Sequence, residues 1–165
     1  MRSVAVTIAL VVVCVPAALA HATRTAIPIV HCADSILTVK SGTQGGYRVV
    51  LGVVSVPPAR LTQVVRTDSK RWPFWRKAGL VIRAGNKTVT VSVPEAWRRR
   101  AAVGWGNSGV VSTLKFAPCP TPKPWNAYAG GFHLRTQREC VPLVFRVGNR
   151  AARVRFGLGG ACASR

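Results

Sequence analysis

The segment Lys87-Thr88-Val89-Thr90-Val91-Ser92-Val93 alternates without a break. Val89, Val91 and Val93 fall on one face and Thr88, Thr90 and Ser92 on the other. A period of two residues is what a half-buried strand needs, and β-branched side chains fit its pleated surface. Leu80-Val81-Ile82-Arg83 precedes it, and Gly85-Asn86 between the two accepts positive φ, so 79–93 is expected to form a hairpin. The same pattern returns 63 residues later, where Leu143-Val144-Phe145-Arg146-Val147-Gly148-Asn149-Arg150 matches Leu80 to Lys87. Shared hairpin grammar explains this better than a duplicated half-domain. Further strands are expected at 35–40, 47–56, 61–66, 110–117, 128–134, 141–147 and 151–156. Pro57-Pro58, Pro73, Pro94 and the 118–124 proline cluster punctuate them. No long stretch has helical periodicity, so the chain is expected to be all-β: a single antiparallel β-sandwich, Ig-like or a related Greek key, of about eight to ten strands.

The first twenty residues read as a cleavable export signal. Arg2 is the charged start, Val4 to Val15 is an apolar run interrupted only by Thr7, and Pro16 with Ala18-Leu19-Ala20 supplies the break and the small residues at the cut. The expected organisation is a signal at 1–20 and one secreted domain at 21–165, with no transmembrane segment after signal removal. A lipid attachment at Cys14 would want a small residue before it, and Val13 is branched.

Export gives the cysteines their meaning. With Cys14 removed, Cys32, Cys119, Cys140 and Cys162 are an even set, expected as two disulfides with three connectivities open. The expected pairing is Cys32 with Cys162, tying the chain ends, and Cys119 with Cys140, closing the segment between two strands. There is no C-x-x-C, and His31-Cys32 is the sole adjacent His/Cys pair, so neither metal nor cofactor is expected.

Charge narrows the partners. The chain has 24 Lys and Arg against Asp34, Asp68, Glu95 and Glu139, a net charge of +20 that becomes +19 without Arg2. So few carboxylates cannot neutralise so many cations, and the surface potential must be positive. That favours anionic envelope polymers or acidic lipid head groups, with nucleic acid bound only non-specifically. The alternative is general compatibility with the envelope, because the Arg, Ala, Gly, Val and Pro bias also follows from GC-rich coding.

Two runs interleave aromatics with bases. In Trp72-Pro73-Phe74-Trp75-Arg76-Lys77 and Trp97-Arg98-Arg99-Arg100, an indole offers a stacking surface and a neighbouring cation pairs with an anion. The competing assignment folds the tryptophans back as core plugs, although three successive arginines cannot all be buried. In 151–156, Arg153 and Arg155 oppose Ala152, Val154 and Phe156, which places a basic stripe on the solvent face. His133 is the one candidate general base beyond the N-terminal tail. The chain has no G-x-S-x-G and no paired carboxylates, so a hydrolase has little material.

The order Val93-Pro94-Glu95-x-Trp97, Gly104-Trp105-Gly106, Cys119-Pro120, Ala129-Gly130-Gly131, Cys140-Val141-Pro142-Leu143 and Cys162 resembles small exported proteins of high-GC Gram-positive bacteria that carry no assigned function. The resemblance spans 72–162, implies a secreted β domain with two disulfides, and transfers no active site. The leading expectation is a non-enzymatic domain held to the envelope by charge. An envelope hydrolase or transferase using His133, and a small secreted toxin or antimicrobial factor, are the alternatives.

Overall fold

Alternating runs this short bury their apolar face only by stacking sheets, and three sheets do so in the computed structural model, which describes residues 26–85, 87–121 and 123–163. The expected export segment and Cys14 lie outside those residues. In chain order the strands are β1 (Ile29–Val30), β2 (Leu37–Val39), β3 (Arg48–Val50), β4 (Val54–Val56), β5 (Arg60–Leu61), β6 (Val65–Arg66), β7 (Phe74–Lys77) and β8 (Leu80–Arg83). They continue as β9 (Val89–Ser92), β10 (Ala101–Trp105), β11 (Thr113–Phe116), β12 (Trp125–Tyr128), β13 (Gly130–Leu134), β14 (Glu139–Val147) and β15 (Arg150–Leu158). Only short 3₁₀ turns interrupt them, and no α-helix occurs among the described residues.

The all-β class is therefore as expected, with fifteen strands among the described residues in place of eight to ten. The excess arises where a long run breaks. The 47–56 run folds back on itself at Leu51-Gly52, both with positive φ, and β3 pairs with β4. Sheet order is β1-β11-β9-β14-β15-β5, β10-β13-β7-β6 and β2-β12-β8-β4-β3. Most pairs are antiparallel, but β1–β11 and β15–β5 are parallel. One cluster of buried residues joins all three sheets, with Val54, Leu80, Val91, Trp105, Phe116, Phe132, Phe145 and Phe156 all at its centre.

The two matching segments take different roles. β14 and β15 form a long hairpin across Gly148-Asn149, in register from Glu139–Leu158 to Val147–Arg150. The expected 79–93 hairpin does not form: β8 pairs with β12 and β4, whereas β9 pairs with β11 and β14 in another sheet. The chain crosses between sheets here because Gly85 bridges to Cys119 and Ala84 donates its N–H to the Pro124 carbonyl. A Gly-Asn pair permits a turn but does not choose the strand that follows.

The disulfides are Cys32–Cys119 and Cys140–Cys162, which corrects both expected pairs. Parallel pairing of β1 with β11 sets Val30 beside Phe116, so the residues just beyond, Cys32 and Cys119, meet with their Cα atoms 5.1 Å apart. At the other end the tail turns back over β15. A Cβ on Gly157 would lie 2.8 Å from the Cys162 nitrogen, and Gly157 is the register partner of Cys140. The chain ends are thus fastened separately.

Candidate anion-binding face

The six-stranded sheet has one apolar face and one basic face, and the period-two pattern separates them. Leu114, Phe116, Val89, Val91, Leu143, Phe145, Val154 and Phe156 point into the core, each at most 4 % exposed. Two register rows cross the opposite face. One runs Ile29–Lys115–Thr90–Arg146–Ala151 and the other Thr113–Ser92–Val144–Arg153, with the pair Pro142–Arg155 next along the strands. Arg146, Arg153 and Arg155 are exposed, and no carboxylate stands in these rows. Arg153 and Arg155 are two residues apart on one strand, and Arg146 is diagonal to Arg153. That spacing leaves like charges adjacent with nothing to offset them.

Glu139 is the one acid in this sheet, and it is already committed. Its side chain is 4 % exposed and accepts from Arg100 Nε at 2.9 Å and Arg100 Nη2 at 2.6 Å. A bidentate pair of this kind fixes the guanidinium plane. Arg100 in turn lies over the Trp97 ring, 4.4 Å from its centroid. Arg100, one of the binding cations that the sequence suggests, gives its charge to Glu139 and holds the indole.

Trp97 sits where it does because a ladder stops. The β9–β14 register ends at Ser92–Val144, and its continuation would set Pro94 against Pro142. Neither proline has an N–H to donate, so pairing cannot go on. The chain leaves the sheet through a 3₁₀ turn at Glu95–Trp97, closed by Trp97 N–H to the Pro94 carbonyl at 2.8 Å. The result is a cavity of about 260 Å³ walled by Trp97, Pro142, Arg153 and Arg155. Arg155 is steadied by Nε–H to Cys140 Sγ at 3.4 Å and by Nη2–H to the Ala163 carbonyl at 3.3 Å.

On the other side of this turn a groove of about 510 Å³ is lined by Arg71, Trp72, Arg98, Val110 and Thr113, among others. Arg98 Nε donates to the Val93 carbonyl, and the Arg71 guanidinium lies 5.5 Å from the Trp72 ring centroid. Thr113 belongs to the groove and Arg153 to the cavity, and both lie on one register row. Three inter-strand steps, about 14 Å, separate them.

The structure therefore divides the expected binding residues. It gathers Trp97, Arg153 and Arg155 at the cavity and Trp72 with Arg98 at the groove, although Trp72 is only 7 % exposed. Arg99 is exposed beside them. Trp75, Arg76 and Lys77 belong to β7 of another sheet. Arg76 shares a register row with the fully buried Val103 and Phe132, so strand alternation turns it toward the core side, where Nη1 donates to the Gln63 carbonyl. Lys115 and Arg146 are the cations that the aromatic-basic motifs did not flag. The alternations Thr113-Leu114-Lys115-Phe116 and Phe145-Arg146-Val147 carry the signal for both.

His133 stands mid-strand on β13, flanked in register by Ala102 and Trp75. Partial burial pushes its pKa below the usual imidazole value. Among the described residues its ring has no hydrogen-bonded carboxylate or hydroxyl to orient it. Asp34 instead accepts from the His31 backbone and from Asn107.

Comparison with protein-family models, with curated proteins and with solved structures finds no match to this chain.

Proposed function

We propose that the chain is an exported, non-enzymatic basic β-domain that binds phosphate-bearing polymers or lipid head groups of the cell envelope through the outer face of its six-stranded sheet. The observation that carries this reading is the row structure: Lys115, Arg146, Arg153 and Arg155 share one face, and the sheet's single acid is buried against Arg100. An anionic ligand relieves the repulsion among these cations and releases its own counterions. Two disulfides fit an oxidising compartment, where such polymers lie. No helix among the described residues is long and apolar enough to cross a membrane, and charge offers a means of retention without one.

The test is binding of the oxidised protein to oligo(glycerol phosphate) and to phosphatidylglycerol vesicles between 50 and 500 mM salt. The logarithm of affinity is expected to fall linearly with the logarithm of salt, with a slope of roughly −2 to −4 for the four cations of the face. Absence of binding to either probe, or binding indifferent to salt, contradicts the reading.

A further inference from the structure

The cavity beside Trp97 is more specific than a basic surface requires. Charge alone needs neither a ring nor a wall. Here the buried Glu139 fixes Arg100, Arg100 covers one part of Trp97, and the rest of the indole closes a concavity whose remaining sides are Pro142 and two arginines. Glu139 is the only carboxylate ion-paired with a cation among the described residues of a chain with four acids. It is used to hold an aromatic ring next to cations rather than to reduce the charge of the face.

The polar groups left over define what fits. Arg155 uses Nε and one Nη2 hydrogen on its internal acceptors, which leaves three of its five N–H donors. Arg153 has no internal acceptor among the described residues and keeps all five. Two guanidiniums with free forks on one strand match the oxygens of a phosphate diester. An indole beside them offers a flat apolar surface to the C–H face of a ring, and Pro142 adds a second rigid apolar wall. At about 260 Å³ the cavity is smaller than sites that enclose a whole drug-sized ligand, and it suits one repeating unit of a longer chain.

We propose that Trp97, Pro142, Arg153 and Arg155 form a subsite for a single sugar-phosphate unit of an anionic polymer, the sugar ring on Trp97 and the phosphate between the arginines. This rests on the envelope-binding reading above and narrows its ligand to phosphopolymers whose repeat contains a ring.

The full oxidised chain is titrated with two synthetic oligomers of equal length and charge, one of N-acetylglucosamine 1-phosphate units and one of glycerol phosphate units, at 0.15 M salt. The wild type is expected to prefer the ring-bearing oligomer by about tenfold, the order found for one stacked aromatic contact. Trp97→Leu keeps an apolar wall and should reduce that preference to below about twofold. Trp97→Phe should fall between the two, and thermal melts of both variants establish that they are folded. Arg153→Gln with Arg155→Gln should weaken both oligomers and flatten their salt dependence. Equal, salt-dependent binding of both oligomers by the wild type, or a preference that survives Trp97→Leu, overturns the subsite and leaves the basic-face reading standing. Failure of both oligomers to bind overturns the subsite, and the envelope-binding reading falls with it when phosphatidylglycerol vesicles also fail to bind.

Discussion

Glu139→Gln and Arg100→Met test how the Trp97 wall is held, and the structure predicts unequal effects. Glu139 is 4 % exposed and Arg100 55 % exposed at the side chain. Removing the carboxylate's charge leaves Arg100 free to hydrate, and the glutamine still offers one carbonyl acceptor. The cost is that of a half-exposed charge-assisted pair, discounted for solvent, or about 1–2 kcal/mol. Removing the guanidinium strands a buried carboxylate whose one remaining donor is the Cys140 backbone N–H at 3.1 Å. Breaking a buried pair from that side costs about 3–4 kcal/mol. The double variant carries no stranded charge, so adding Glu139→Gln to Arg100→Met should restore about 1 kcal/mol or more. Urea unfolding followed by tryptophan fluorescence measures all three, with an unchanged m-value showing that only stability moved. Equal costs for Glu139→Gln and Arg100→Met, or a double variant less stable than Arg100→Met alone, would show that the buried carboxylate does not depend on Arg100.

Mass mapping of the unreduced protein should recover Cys32 linked to Cys119 and Cys140 linked to Cys162. Loop closure over 87 and 22 residues predicts that losing the first costs about 4.6 kcal/mol and the second about 3.4 kcal/mol. His133 has a lowered folded-state pKa, so below its unfolded value of about 6.5 the unfolded chain binds the proton more readily and stability falls as pH drops toward the folded value. His133→Gln should flatten the dependence of Tm on pH below about 6.5; an unchanged slope contradicts the assignment. Gly131→Ala would drive a Cβ onto the Arg76 carbonyl and to 3.0 Å from the Ala78 nitrogen, where β13 meets β7. A cost of about 2–4 kcal/mol in chemical denaturation is expected, and a neutral variant would show that these strands are not so closely apposed.

Local alternation made the core strands legible. Val89 and Val91, Leu143 and Phe145, and Val154 and Phe156 are buried as a period of two requires, and Arg153 and Arg155 are exposed on the opposite face. Partner choice was not legible, because it depends on contacts between distant segments. Leu80–Arg83 and Val89–Ser92 look like a hairpin in sequence and lie in different sheets. The disulfides follow the same rule. Cys32 finds Cys119 because a two-residue strand, β1, joins β11 in parallel, and two residues are too few to show a period. Trp97, Arg153 and Arg155 were each visible as candidates, yet only the register of β14 with β15 and the Pro94–Pro142 stop bring them to one cavity. Arg76 beside Trp75 looked like part of the same chemistry, and strand alternation sends the two to opposite faces of β7.

If a particular face, and not net charge, binds the phosphopolymer, removing cations from that face should matter more than removing as many elsewhere. Two variants of equal net charge separate these: Arg146→Gln/Arg153→Gln/Arg155→Gln on the face, and Lys40→Gln/Arg48→Gln/Arg83→Gln at exposed positions in or next to the separate five-stranded sheet. Binding to oligo(glycerol phosphate) across a salt series should show the slope reduced in magnitude by about 2 in the face variant, since each lost phosphate contact removes roughly 0.7. The control variant should keep a slope close to that of the wild type. Equal slopes in the two variants would assign binding to net charge alone and rule out a dedicated face.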